Sequence, residues 1–194
     1  MLSFDAIVIG ASAGGVDAVS TLLQALPPSF GAAVAVVIHV PPGNDNLLAR
    51  VLALRCALPV REACDKEPVE AGSVYVAPPS YHLLIEPERT FALSLDEPVH
   101  FSRPSVDVLF ESAAHAYRER LLAVVLTGAN ADGAEGLRIV RELGGTGWVQ
   151  QPSTAYAEAM PAAAIARAGA DRVATVAELA QALGALDGAA MTNS

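Results

Sequence analysis

Asp5-Ala6-Ile7-Val8-Ile9-Gly10-Ala11-Ser12-Ala13-Gly14-Gly15 holds the pattern that sets the fold. Residues 5–9 read as a short apolar strand and residues 10–15 as a glycine-rich turn. Val16, Val19, Leu22, Leu23 and Leu26 then recur at helical spacing until Pro27-Pro28 stops them. Strand, tight turn and helix in that order open a doubly wound α/β sheet. A second unbroken apolar run, 33–38, suits a central parallel strand buried on both faces, and it ends at His39 before Pro41-Pro42-Gly43.

Working outward, Asn44 or Asp45 is placed to cap a helix reaching about Arg55, and 58–61 reads as a third strand. Over 72–95 the pieces 73–76, 82–85 and 91–95 are short and closely spaced. That predicts an antiparallel extension on one edge, because parallel crossovers need a dozen or more residues. Pro104 or Ser105 opens a helix to about Arg120, and 121–126 is another buried strand. A helix follows over 132–143, a strand over 147–150, and helices over 157–168 and 176–186. The alternation predicts a single doubly wound, mostly parallel sheet flanked by helices, with a short antiparallel strand extension. One domain over 1–187 is expected, with a frayed tail over 188–194.

Composition narrows the function classes. Of 194 residues, 53% are hydrophobic and 17% charged, which supplies a core and argues against disorder. The longest apolar run, 32–38, falls far short of the roughly 20 residues of a membrane helix, so no membrane insertion is expected. Met1-Leu2-Ser3-Phe4-Asp5 lacks the basic start of a secretory signal, which points to the cytoplasm. Cys56 and Cys64 fit no Cys-x-x-Cys motif and read as reduced packing residues. A net charge of −9 repels phosphate backbones, so nucleic acid is not an expected partner.

Gly10-x-Ser12-x-Gly14 matches the nucleophile elbow, in which a sharp strand-to-helix turn projects a serine hydroxyl above the sheet. The same turn partly fits a dinucleotide phosphate loop. Two features weaken that reading: Ser12 stands where the central glycine is needed, and the second strand ends in His39 instead of a ribose-binding acid. His39 lies at the carboxyl end of a central strand, where open α/β sheets bind ligands. Asp132, in the loop after another buried strand, is by itself an ordinary helix cap. Ser12, His39 and Asp132 together supply a nucleophile, a base and an orienting carboxylate from three strand ends, the set required for acyl transfer to water. Backbone N–H groups at Ala13 or in the 128–130 loop are the candidate oxyanion donors.

On these residues the chain resembles the catalytic domain of the CheB family, the protein-glutamate methylesterases of bacterial chemotaxis. The resemblance spans roughly residues 4–186. It is carried by Ile7-Val8-Ile9-Gly10-Ala11-Ser12-Ala13-Gly14-Gly15, His39-Val40-Pro41-Pro42-Gly43, Gly72-Ser73-Val74-Tyr75-Val76-Ala77-Pro78, Arg103-Pro104-Ser105-Val106-Asp107-Val108-Leu109-Phe110, Leu126-Thr127-Gly128 and Asp132-Gly133-Ala134. It implies that Ser12, His39 and Asp132 are the triad and that the Ala129 N–H helps bind the oxyanion. The implied substrates are methyl esters on glutamates of methyl-accepting chemoreceptor cytoplasmic helices, hydrolysed to glutamate and methanol. Deamidation of receptor glutamines is implied as a second activity, and no cofactor or metal is required.

Some positions depart from the family pattern. Ala129-Asn130-Ala131-Asp132 stands where the family usually has Met-Gly-Asn-Asp, Ala13 where it usually has Thr, and Ala159-Met160-Pro161 lacks the usual glycine. Typical members also carry an N-terminal receiver domain, whereas this sequence starts at the catalytic strand. The expectation is a constitutively open site, a separate regulatory protein that covers it, or a fragment of a longer chain. His82, His100 and His115 show no metal-ligand spacing, though His82 is placed to line the cleft. Arg103 reads as a loop pin or a contact for an acidic receptor segment, Trp148 and Tyr156 as packing residues, and Met160 as core or cleft wall. The alternative function is a cleft that recognises a receptor helix or a nucleotide without catalysis.

Overall fold

The computed structural model describes residues 4–39 and 47–188. Strands β1 (Ala6–Ala11), β2 (Ala33–Ile38), β3 (Val60–Glu62), β4 (Val74–Val76), β7 (Leu121–Val125), β8 (Thr146–Gln150) and β9 (Arg172–Ala174) form one sheet. The order is β3-β4-β2-β1-β7-β8-β9, with every neighbouring pair parallel. Between β4 and β7 the chain makes β5 (His82–Ile85) and β6 (Phe91–Ser94), an antiparallel pair that forms its own two-stranded sheet.

Among the described residues six α-helices flank the sheet: α1 (Gly15–Gln24), α2 (Leu47–Ala53), α3 (Val106–Tyr117), α4 (Ala134–Glu142), α5 (Ala159–Ala168) and α6 (Val176–Gly188). Successive residues of a strand face opposite sides, and the cores divide accordingly. Ile7, Ile9, Val34, Val36, Leu122 and Val124 pack with α1, α2 and α6, whereas Val8, Ala35, Val37, Ala123 and Val125 pack with α3, α4, α5 and the hairpin. Burial on both faces explains why β1, β2 and β7 are continuous apolar runs with no polar alternation.

Two details differ from the sequence expectation. Residues 73–76 do not belong to the antiparallel pieces: β4 lies in the main sheet, parallel to β2 and β3, and only β5 and β6 pair in antiparallel fashion. Closely spaced short strands concealed a change of layer between Val76 and His82. Strand β9 was not anticipated, because three exposed to half-buried residues at a sheet edge carry no periodic signal. The cap expected at Asn44 or Asp45 lies outside the described residues, as does the expected 188–194 tail apart from Gly188, which ends α6. No helix among the described residues is long and apolar enough to cross a membrane.

The topology also locates the cleft. From β1 the chain first builds outward through β2 and β4, then returns to place β7 on the other side of β1. Such a reversal opens a crevice outside the carboxyl ends of the strands. The residues that follow β1, β2 and β7 meet there.

Candidate active site

Strands β1 and β2 are paired up to Ala11 and Ile38, and the His39 N–H donates to the Ala11 carbonyl at 3.1 Å. Ser12 and His39 are therefore the first residues beyond the paired ends of two adjacent strands. The Ser12 N–H donates to the Thr127 carbonyl at 2.9 Å and its carbonyl accepts the Gly15 N–H at 2.7 Å, which closes the turn. The Ser12 hydroxyl makes no hydrogen bond among the described residues. Gly14 caps α1 at φ 75°, and a Cβ there would fall 2.6 Å from the Tyr156 Cβ, so both conformation and space require glycine. Gly10 is glycine for a different reason from a phosphate loop: a Cβ would lie 2.2 Å from Val106 Cγ1. The start of α3, and not a nucleotide, fills that space.

Asp132 is fully buried and takes four donors. Oδ2 accepts from His39 Nε2 at 2.8 Å and the Val106 N–H at 2.7 Å; Oδ1 accepts from the Ser105 hydroxyl and the Asp107 N–H, both at 2.8 Å. Asp132 was a plausible cap for the helix after it, but the N-cap of α4 is Gly133, with no side-chain cap bond. The carboxylate instead satisfies the start of α3, where unpaired N–H groups and the helix dipole favour negative charge. Asp107 returns the favour, accepting the N–H groups of Gly133 at 2.9 Å and Gly136 at 2.7 Å. Each helix start is thus closed by a carboxylate from the other's neighbourhood.

Burial alone would raise the Asp132 pKa, but the hydrogen bonds from His39, the Asp107 and Val106 N–H groups and Ser105 outweigh it and hold the carboxyl below its ordinary value. An ionised Asp132 only accepts, so His39 Nε2 donates to it, and in the neutral ring that leaves the lone pair on Nδ1. Asp107 moves the other way: burial raises its pKa, the neighbouring Asp132 charge adds to this, and the Gly136 and Gly133 N–H groups and His100 oppose it.

Ser105 caps α3, with its Oγ 3.5 Å from the Val108 N–H, and its own N–H donates to His82 Nδ1 at 3.2 Å. His82 is buried and passes its Nε2–H to the Glu97 carbonyl at 3.0 Å, so it braces the frame and does not line the cleft. Arg103 is the loop pin, donating from Nη1 to the carbonyls of Leu95 and Asp96. We predict that Ser105→Ala lowers unfolding stability by about 1–2 kcal/mol, the usual size for losing a cap and a buried hydrogen bond; urea denaturation measures it.

The loop after β7 is locked by Thr127. Its N–H donates to Gln150 Oε1 at 2.9 Å, its hydroxyl donates to the Ala13 carbonyl at 2.8 Å, and that hydroxyl accepts the Ala157 N–H at 2.9 Å. The Gly128 N–H is committed to the Ala157 carbonyl. The N–H groups of Ala13 and Ala129, the two candidate oxyanion donors, make no hydrogen bond among the described residues. Met160 is core, buried against Gly128.

Several residues did not take the places expected of them. Trp148 is buried, but Tyr156 is 84% exposed beside Gly14 and is no packing residue. Cys56 is half-buried and Cys64 exposed, so only the first has a packing role. His115 sits exposed on α3, whereas His100, which showed no partner in the sequence, lies 3.1 Å from Asp107. His100, Asp107 and Asp132 bring ligand atoms within 4.8 Å of one another. The carboxylate oxygens in that cluster already accept the N–H and O–H donors named above. Sequence reading missed Ser105, Asp107, Thr127 and Gln150 as parts of the site; the quoted Arg103–Phe110 and Leu126–Gly128 stretches held the first three without a role in the site, and nothing flagged Gln150.

Fold and cleft together define a doubly wound α/β domain that gathers Ser12, His39 and Asp132 at the carboxyl ends of a parallel sheet. Comparison narrows the class. The CheB methylesterase domain matches residues 7–183. The crystal structure of the Thermotoga maritima CheB methylesterase catalytic domain superposes with a TM-score of 0.90 at 34% identity, covering 95% of this chain and 99% of that one. A Leptospira interrogans protein, whose name gives protein-glutamate methylesterase/protein-glutamine glutaminase provisionally, is 46% identical over 180 residues, 93% of each chain. The Symbiobacterium thermophilum protein-glutamate methylesterase/protein-glutamine glutaminase is 41% identical over 177 residues, 91% of this chain but 49% of that protein. This chain belongs to the CheB methylesterase family. It spans nearly all of the Leptospira relative and about half of the Symbiobacterium one.

Proposed function

We propose that the chain hydrolyses methyl esters of glutamate side chains on the cytoplasmic helices of chemoreceptors, with deamidation of receptor glutamines as a second activity. The observation that carries this reading is the 2.8 Å bond from His39 Nε2 to a fully buried Asp132, with His39 next to Ser12 at the ends of adjacent strands. Asp132 fixes the ring tautomer and stabilises the imidazolium that forms. His39 Nδ1 takes the proton of Ser12 Oγ as the oxygen attacks the ester carbonyl, and the N–H groups of Ala13 and Ala129 receive the negative oxygen. Collapse breaks the C–O bond to the methoxy group, which leaves as methanol with the proton held by His39. Water, deprotonated by the same ring, then cleaves the acyl-serine and restores the hydroxyl.

The names of the relatives support methyl-esterified glutamates and glutamines of proteins as the substrates. Action on receptor helices places the work in the cytoplasm and in chemotactic adaptation, and control falls to a regulatory protein or segment that covers the cleft. Methanol release from a methyl-esterified receptor fragment tests the reading: wild-type chain is expected to release it. Binding of the fragment with no methanol favours the non-catalytic cleft.

A further inference from the structure

Asn130 has no part in the chemistry above, yet it touches the base. Its Oδ1 accepts the Asp132 N–H at 3.1 Å, a local Asx turn, and this fixes which end of the amide is which. The Nδ2 amide is therefore the group that faces His39 Nδ1, at 3.4 Å. Because Asp132 holds the ring proton on Nε2, Nδ1 is an acceptor and Asn130 donates to it. That lone pair is the one Ser12 needs, and the Ser12 hydroxyl makes no hydrogen bond among the described residues.

We infer that Asn130 is a positioning residue that occupies the lone pair of His39 at rest and must release it before Ser12 is deprotonated. The inference rests on the triad proposed above. A separation of 3.4 Å is long for a hydrogen bond, so the grip is weak and can be displaced. Once Nδ1 gains the Ser12 proton, ring and amide present donor to donor. Asn130 cannot turn its oxygen inward without giving up the Asp132 N–H, so it opposes the protonated ring and slows attack. Of the titratable groups on this side of the cleft, Asp132 bonds His39 directly, and Asp107 and His100 cluster with Asp132; none is altered by substitution at 130.

Two variants separate this role from simple loop support. Asn130→Ser keeps an oxygen for the turn but falls short of His39, whereas Asn130→Asp keeps the shape and turns an acceptor toward Nδ1. In the full chain, phosphonylation of Ser12 by a small serine-directed phosphonate is expected to run about 3–10-fold faster in Asn130→Ser, the worth of one modest hydrogen bond. Asn130→Asp should react more slowly at neutral pH, with the acid limb of its pH–rate profile displaced to higher pH. A rate in Asn130→Ser at or below wild type, or an undisplaced profile in Asn130→Asp, overturns the inference. The ¹⁵N spectrum of the His39 ring needs no reactive serine: the Nδ1 resonance should move in Asn130→Ser, and an identical resonance overturns the inference independently. Absence of labelling in wild type alongside a responsive Nδ1 would reject the esterase reading and leave the Asn130 contact standing.

Discussion

Ser12→Ala is expected to reduce methanol release from a methyl-esterified receptor fragment by about 10⁵–10⁶-fold, the size seen when a serine nucleophile is removed. Stability should stay within about 0.5 kcal/mol of wild type. The two effects separate because the turn is held by the Ser12 backbone, through Thr127 and Gly15, while the hydroxyl bonds to nothing among the described residues. His39→Ala should lose nearly as much rate, since nucleophile and base act as a unit. A His39→Ala variant with wild-type turnover would remove His39 from the mechanism. Methanol assays beside urea denaturation measure both quantities.

Asp132→Asn should damage rate and fold together. The carboxylate accepts four donors, two at each oxygen. An asparagine keeps one accepting oxygen and turns an NH₂ toward the other pair. If that pair is His39 and Val106, the ring is driven to the wrong tautomer and turnover falls about 10⁴-fold. The Val106 N–H, left buried without a partner, costs about 1–3 kcal/mol. Asp132→Ala should retain some turnover, because an orienting group is less essential than the base. The pH dependence has a definite sign. Asp132 has a lowered pKa in the folded chain, so its contribution to stability is present above about pH 4, the ordinary range for aspartate, and is lost as pH falls through the lowered value. The stability gap between wild type and Asp132→Asn should therefore narrow in acid, which denaturation curves across pH will read.

Much of this site was legible in one dimension because its parts are punctuated locally. Unbroken apolar runs mark β1, β2 and β7, and the polar or glycine residues that end them are Ser12, His39 and the loop leading to Asp132. What could not be read is which partner each group meets across the chain. Asp132 looked like a cap for α4 because capping signals are local, yet its oxygens serve α3, about 26 residues earlier in sequence. Ser105 and Asp107 owe their roles to the same crossing. Asn130 shows both limits: its turn with Asp132 is a short-range pattern, but its contact with His39 spans 91 positions. The pairing of β4 was hidden because three buried residues fit either a parallel sheet or a hairpin.

The most direct measurement is a rapid-quench experiment. Wild-type chain is mixed with a methyl-esterified receptor fragment, stopped in acid on the timescale of the first turnover, digested and weighed by mass spectrometry. A triad built on Ser12 predicts the Ser12 peptide joined to the fragment through its glutamate carbonyl, at the summed mass less one methanol, and absent in Ser12→Ala. Methanol released at an undiminished rate by Ser12→Ala, with no such adduct in wild type, would contradict it.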